Sequence, residues 1–235
     1  MRGRFPVTTC SRLTLSTQGI RRWWKKANRA RYFRLSRRRH GLASDRLSAL
    51  KEASVPELIY ENDGSDECRF VLGKFGERNL ICVGLNPSRA EPGNYDPTMK
   101  RVENWASMHG YDGHIMVNLY PQRATKPSLM DDSSSFNELM VQRNLECVSR
   151  LFEMPDFDVW AAWGANVEKR RYSHLLDSLS RVWWAFERRG GCSDAKWFRL
   201  GKLTSAGHPR HPLRVAYSEE PVEFDVSSYL KEFGY

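Results

Sequence analysis

Two asparagines and a pair of histidines are the residues of this 235-residue chain whose setting points to chemistry. Asn86 follows the apolar run Leu80–Leu85, and Asn118 falls near the end of a second run, His114–Leu119. An amide at the end of a buried strand needs hydrogen-bond partners, because burying it unpaired is costly, and a ligand could supply them. Each asparagine also has a plainer use as a turn or cap residue. His208 and His211 share the late run Gly207-His208-Pro209-Arg210-His211-Pro212-Leu213. Their spacing suits a metal, but no cluster of Cys or acidic ligands lies beside them, so no metal centre is expected. No cofactor is indicated either. The chain has no P-loop, no dinucleotide fingerprint and no Ser-His-Asp pattern.

Alternating strands and helices must position these residues. Leu80–Leu85, His114–Leu119, Asp158–Trp163 and Lys196–Leu200 read as buried strands. Arg69–Leu72 reads as an edge strand joined to the first of them by a turn at Gly73–Gly76. Thr98 is placed to cap a helix through Val102, Trp105, Ala106 and Met108, and Ser135 with Glu138 forms a capping box for a second. A third helix, from about 166 to 189, turns Leu175, Leu176, Leu179, Val182, Trp183 and Phe186 inward. The pattern predicts an α/β fold, a three-layer α/β/α sandwich on a four-stranded, mainly parallel sheet with right-handed crossovers. Open sheets of this kind keep ligands at the carboxyl ends of their strands. Here those ends are Asn86-Pro87-Ser88, Asn118, Trp163-Gly164 and Gly207–Leu213. The punctuated loop after Asn86, through Pro92-Gly93-Asn94-Tyr95-Asp96-Pro97-Thr98, is long enough to expect a function of it rather than a mere connection.

Charge divides the chain. Residues 1–44 hold thirteen Lys and Arg and no Asp or Glu, with Trp23-Trp24 and Tyr32-Phe33 interleaved. Residues 45–235 hold 24 basic against 28 acidic residues, a net of −4. A basic, aromatic arm suits phosphate contacts and base stacking. It also fits a disordered solvated arm, a targeting peptide or a misplaced start. The expected organisation is a disordered basic arm at 1–44, a lead-in at 45–66 with a short helix at 45–53 and a turn at Asn62-Asp63-Gly64, and an α/β domain at 67–235. No apolar run reaches the length of a membrane span, and no apolar signal core follows the start. Five scattered cysteines without a CxxC pair indicate neither a disulfide framework nor a Cys-rich metal or cluster site, so a reducing, cytoplasmic setting is expected.

The order GLNPS after the first core strand, an apolar strand ending in Asn (IMVNLY), and the late GHPRHPL resembles the uracil-DNA glycosylase superfamily. The GLNPS is similar to the GINPG-like version of its mismatch-specific branch. The likeness spans roughly Leu80–Leu213 on short motifs. The late motif departs from the usual HPSPLS, Asp96–Thr98 is extra, and the cysteines of the iron–sulfur branches are absent. The whole chain also resembles an uncharacterised bacterial and phage family with GLNPS, DPT, NL, WG and HPL landmarks, which implies no activity by itself.

The resemblance implies a DNA glycosylase that extrudes a base and hydrolyses its bond to the sugar. Asn86 would position the hydrolytic water, and Asp96, outside the shared motifs, is the candidate carboxylate partner for that water or for the sugar cation. Asn118 would read the Watson–Crick edge, and Tyr95 would stack on the base. His208 or His211 would stabilise the departing base, and Leu213 would wedge into the duplex. The uracil-specific branch has a blocking Tyr where this chain has Ser88, so the implied substrate extends to bulky 5-substituted pyrimidines such as the glucosylated cytosines of phage DNA. DNA is therefore the expected partner of a monomeric enzyme. Mismatched uracil or thymine, a free nucleotide or nucleoside, and a non-catalytic DNA-binding module are the competing expectations.

Overall fold

The structure, a computed structural model, describes residues 57–168, 172–188 and 194–235. The basic arm at 1–44 and the helix expected at 45–53 lie outside the described residues. In chain order the elements are β1 (Glu57–Asn62), β2 (Arg69–Phe75), β3 (Asn79–Gly84), α1 (Pro97–Met108), β4 (Gly113–Asn118), α2 (Glu138–Leu151), β5 (Phe157–Ala161), α3 (Ser173–Glu187), β6 (Trp197–Leu200), β7 (Pro221–Glu223) and α4 (Val226–Glu232).

Among the described residues, one sheet of seven strands is ordered β1-β2-β4-β3-β5-β6-β7. Its parallel centre consists of the four expected strands, β4, β3, β5 and β6. The count of four falls short because antiparallel strands extend both sides. β1, which opens inside the expected lead-in, has only Ile59 buried, and β7 is exposed throughout. Neither shows the apolar run that marks a central strand. β2 is not an edge strand. It lies between β1 and β4 and continues through Gly73, where a Cβ would stand 2.1 Å from the His114 carbonyl oxygen. Gly73 therefore permits a close backbone approach instead of making a turn. The expected turn after β1 is present, with the Gly64 N–H on Asn62 Oδ1 at 3.1 Å.

The direction of the crossovers reverses at β3. From β3 the chain passes through α1 to β4 on one side, then through α2 to β5 on the other, and on through α3 to β6. Right-handed crossovers then require α1 on one face and α2 with α3 on the opposite face. The packing agrees. Met99, Val102 and Trp105 of α1 share a core with Leu80, Cys82, Met116 and Trp160. Phe186 of α3 meets Phe152, Phe157 and Trp197 on the other side. The carboxyl end of β3 is thus a switch point, where loops diverge and leave a crevice.

Two caps differ from expectation. Asp96 caps α1, its Oδ1 accepting the Met99 N–H at 2.8 Å, and Pro97 takes the first helical position. Pro suits that position because its missing N–H would have had no helical partner. Asn137 caps α2 in place of the Ser135–Glu138 box, accepting from the Leu139 and Met140 N–H groups.

Candidate active site

The crevice at the switch point is a cleft of about 520 Å³ between the β3 loop, the N-terminus of α1 and the late loop. Gly84, Asn86, Ser88 and Asp96 line it from one side, and Trp163, Gly164, His211 and Leu213 from the other. Three of the four expected strand-end clusters therefore line one cavity, and Asn118 is the cross-strand partner of Gly84 in its wall.

Asn86 is fastened by its own amide. Nδ2 donates to the carbonyls of Pro87, Gln122 and Ala124 at 3.1, 3.4 and 2.9 Å. Three carbonyls around one atom fix that atom as nitrogen and leave Oδ1 as the acceptor end. Asp96 uses one oxygen to cap α1 and receives the Ser88 hydroxyl on the other. Ser88 is thereby held against the carboxylate, as a small side chain on the cleft wall.

Asn118 sits behind Gly84, where a Cβ would come within 2.8 Å of Asn118 Oδ1 and 2.5 Å of Met116 Cε. The missing side chain at Gly84 is what admits the amide. Asn118 is 1% exposed and does not itself line the cleft, and neither Oδ1 nor Nδ2 has a hydrogen-bond partner. Most buried polar side-chain atoms find a partner, so an amide with both ends unpaired next to a cleft wall calls for an explanation.

The two histidines separate. His208 is fully buried, with Nδ1 2.8 Å from the Tyr229 hydroxyl and its ring stacked on Phe233. It braces the late loop against α4 and does not line the cleft. His211 does. The Leu213 N–H donates to its Nδ1 at 3.3 Å, so in the neutral ring Nε2 carries the proton. Burial lowers the pKa of His211, the Asp96 carboxylate opposes that shift, and Arg214 adds to it. Leu213, 44% exposed, stands at the mouth. Tyr95 departs from expectation: it is absent from the cleft lining and meets His114 edge-on at 5.8 Å, its ring packed towards the α1 core. Among the described residues no group of three or more His, Cys, Asp or Glu could hold a metal ion.

Among the described residues, three arginines, Arg69, Arg210 and Arg214, line the cleft against the single carboxylate of Asp96. The cleft is thus cationic within a body of net negative charge. In the sequence Arg69 reads only as the start of a strand. A β-bulge re-aims it: Glu61 pairs with Val71 and Asn62 with Arg69, which leaves Phe70 as the extra residue. Phe70 faces Arg143 of α2, while Arg69 reaches Ala90 on the α1 side. A charge at the head of an apolar strand was the available signal, but a bulge has no signature in the residues themselves.

A family model described as Protein of unknown function (DUF1643) matches residues 69–213, a span that encloses every cleft-lining residue except Arg214. No curated protein and no solved structure matches the chain. With more than half of its length covered by that match, the chain belongs to the DUF1643 family.

Proposed function

We propose that the protein is a DNA glycosylase, with the fold and chemistry of the uracil-DNA glycosylase kind, acting on a modified pyrimidine. The observation that bears most on this reading is Asn118, a fully buried amide with both polar atoms unpartnered beside a cationic cleft. A pyrimidine edge offers the complementary donor and acceptor. The amide orientation is free to match either uracil or cytosine, since nothing in the protein fixes its flip.

In the proposed reaction the oxygen of a water bonds to C1′ and the C1′–N bond breaks. The base leaves with the electron pair, and the water's proton passes to a neighbouring acceptor. Asn86 Oδ1 and Asp96 orient the water, and the Asp96 charge favours the cationic sugar. Nε2–H of His211 donates to the departing base, Leu213 fills the gap left in the duplex, and Arg210 with Arg214 meet phosphates at the rim. Tyr95 and His208 have no direct part.

His211 gives this scheme a pH signature. Protonating Nδ1 as pH falls would break its bond with the Leu213 N–H and loosen the turn that presents Leu213. Because burial lowers the His211 pKa, base release should hold through its ordinary titration range and fall only in more acid solution. Rate–pH profiles of the wild type and His211→Gln check this: the acid limb should vanish in the variant, and its survival would assign the limb elsewhere.

Ser88 leaves the wall open where a large ring would close it, so we assign a hypermodified pyrimidine, such as glucosylated hydroxymethylcytosine in phage DNA, and a defensive role. The test compares alkali-labile abasic sites on phage DNA with glucosylated cytosines, on its unmodified counterpart and on uracil-containing duplexes. Cleavage of the modified DNA is expected, and Ser88→Tyr should remove it. Activity confined to uracil would instead make the protein a repair enzyme. A free nucleotide is the second ligand the cleft fits, and the buried charge of Arg69 favours it.

A further inference from the structure

We infer that Arg69 makes the floor of the cleft a binding site for a terminal oxyanion, a phosphate monoester in particular, on the part of the ligand that enters deepest. The inference rests on reading this cleft as a nucleotide site, but not on base release.

The three cleft arginines are not equivalent. Arg210 is half-buried and Arg214 exposed, whereas Arg69 is 2% exposed. Arg69 Nη1 donates to the Ala90 carbonyl at 2.9 Å, and its Nε has no partner. No carboxylate forms an ion pair with it among the described residues. Asp96 is the acidic group that acts on it most, but it makes no ion pair with Arg69 and takes the Met99 N–H and the Ser88 hydroxyl instead. The neighbouring Arg123 cation adds repulsion and is itself paired with Asp66 at 2.9 Å. Burial lowers the pKa of Arg69 to about 10, which leaves it charged at neutral pH.

A charge buried without a counter-ion is retained at a cost, and an entering anion removes that cost. The guanidinium fork matches a phosphate or carboxylate better than any neutral group. Burial selects the kind of anion. A phosphodiester continues into a sugar on each side, and a guanidinium only 2% exposed is reached more readily by a group that ends in the anion. A terminal group has no onward chain. The monoester can come from a free nucleotide or from the 5′ end of a strand.

Isothermal titration of the full chain separates these cases, using 2′-deoxycytidine, its 5′-monophosphate, inorganic phosphate, and a trinucleotide with and without a 5′-phosphate. The monophosphate should bind about ten- to a hundredfold tighter than the nucleoside, the usual gain from hydrogen bonds to a charged group. Arg69→Met should abolish that preference. Arg69→Lys, which keeps the charge but not the fork, should reduce it several-fold, so the result does not depend on Arg69→Met folding. A preference for the phosphorylated trinucleotide over its unphosphorylated form identifies a strand end as the source, and its absence identifies the free nucleotide. Equal binding of nucleoside and monophosphate by the wild type overturns the inference. So does a preference unchanged in Arg69→Lys, or one lost in Arg210→Met/Arg214→Met with Arg69 intact. Base release without this preference removes the inference alone. The preference without base release from any duplex keeps it and removes the glycosylase.

Discussion

Asn118→Leu is expected to produce a protein that is more stable and nearly inactive. The amide is buried with both polar atoms unpartnered, so the fold bears the cost of desolvating them. Leucine branches at the same atom and needs no partners, though its methyl groups take more room than the amide. Removing an unsatisfied buried polar group should return about 1–3 kcal/mol, read as a higher urea midpoint at unchanged slope. Base release should fall about 10²–10³-fold, the usual consequence of losing one preorganised polar contact in an active site. A strained functional site is where stability and activity trade against each other. If Asn118→Leu instead loses several kcal/mol, the amide serves the fold and the base-reading role is wrong.

The second large effect is expected at Asp96, and the choice of substitution decides what it measures. Asp96→Ala would remove the α1 cap together with the carboxylate, and so confound folding with chemistry. Asp96→Asn avoids this. Asparagine caps helices about as well as aspartate, and its Oδ1 can keep the Met99 N–H while Nδ2 turns to the Ser88 oxygen, which then accepts. Stability should change by less than about 1 kcal/mol. Turnover should drop by about 10²–10³-fold through loss of the charge beside the water and the sugar cation. DNA binding, measured by fluorescence anisotropy, should barely move. Normal turnover by Asp96→Asn would reduce Asp96 to a helix cap.

The parallel centre of the sheet was legible because β3, β4, β5 and β6 are apolar runs, and burial on both faces leaves that mark. β1 and β7 were not, since a half-exposed or exposed edge strand has the composition of a loop. The strand-end rule pointed to Asn86 and the late loop, which line one cleft, and to Asn118, which pairs with Gly84 of its wall. It could not choose between His208 and His211, because α4 takes one of them through Tyr229 and Phe233, and that contact spans some twenty residues. Tyr95 was misplaced for a similar reason: its neighbour His114 belongs to the next strand along. Arg69 was missed because the bulge depends on pairing register, which no single segment specifies.

The amide of Asn86 bears on when the cleft is formed, as well as on where it lies. Besides its bonds to Gln122 and Ala124, the Ala124 N–H donates to the Pro87 carbonyl at 2.9 Å, and Arg123 Nη1 to the Ser88 carbonyl at 3.1 Å. The loops that follow β3 and β4 are thus stitched to each other before any ligand arrives. The entropy of ordering them is charged to folding rather than to binding, so a ligand keeps more of its contact energy as affinity. Association then has no closing loop to wait for at this wall. Its speed is left to diffusion, to the rim charges and to the rate at which the ligand adopts its bound shape.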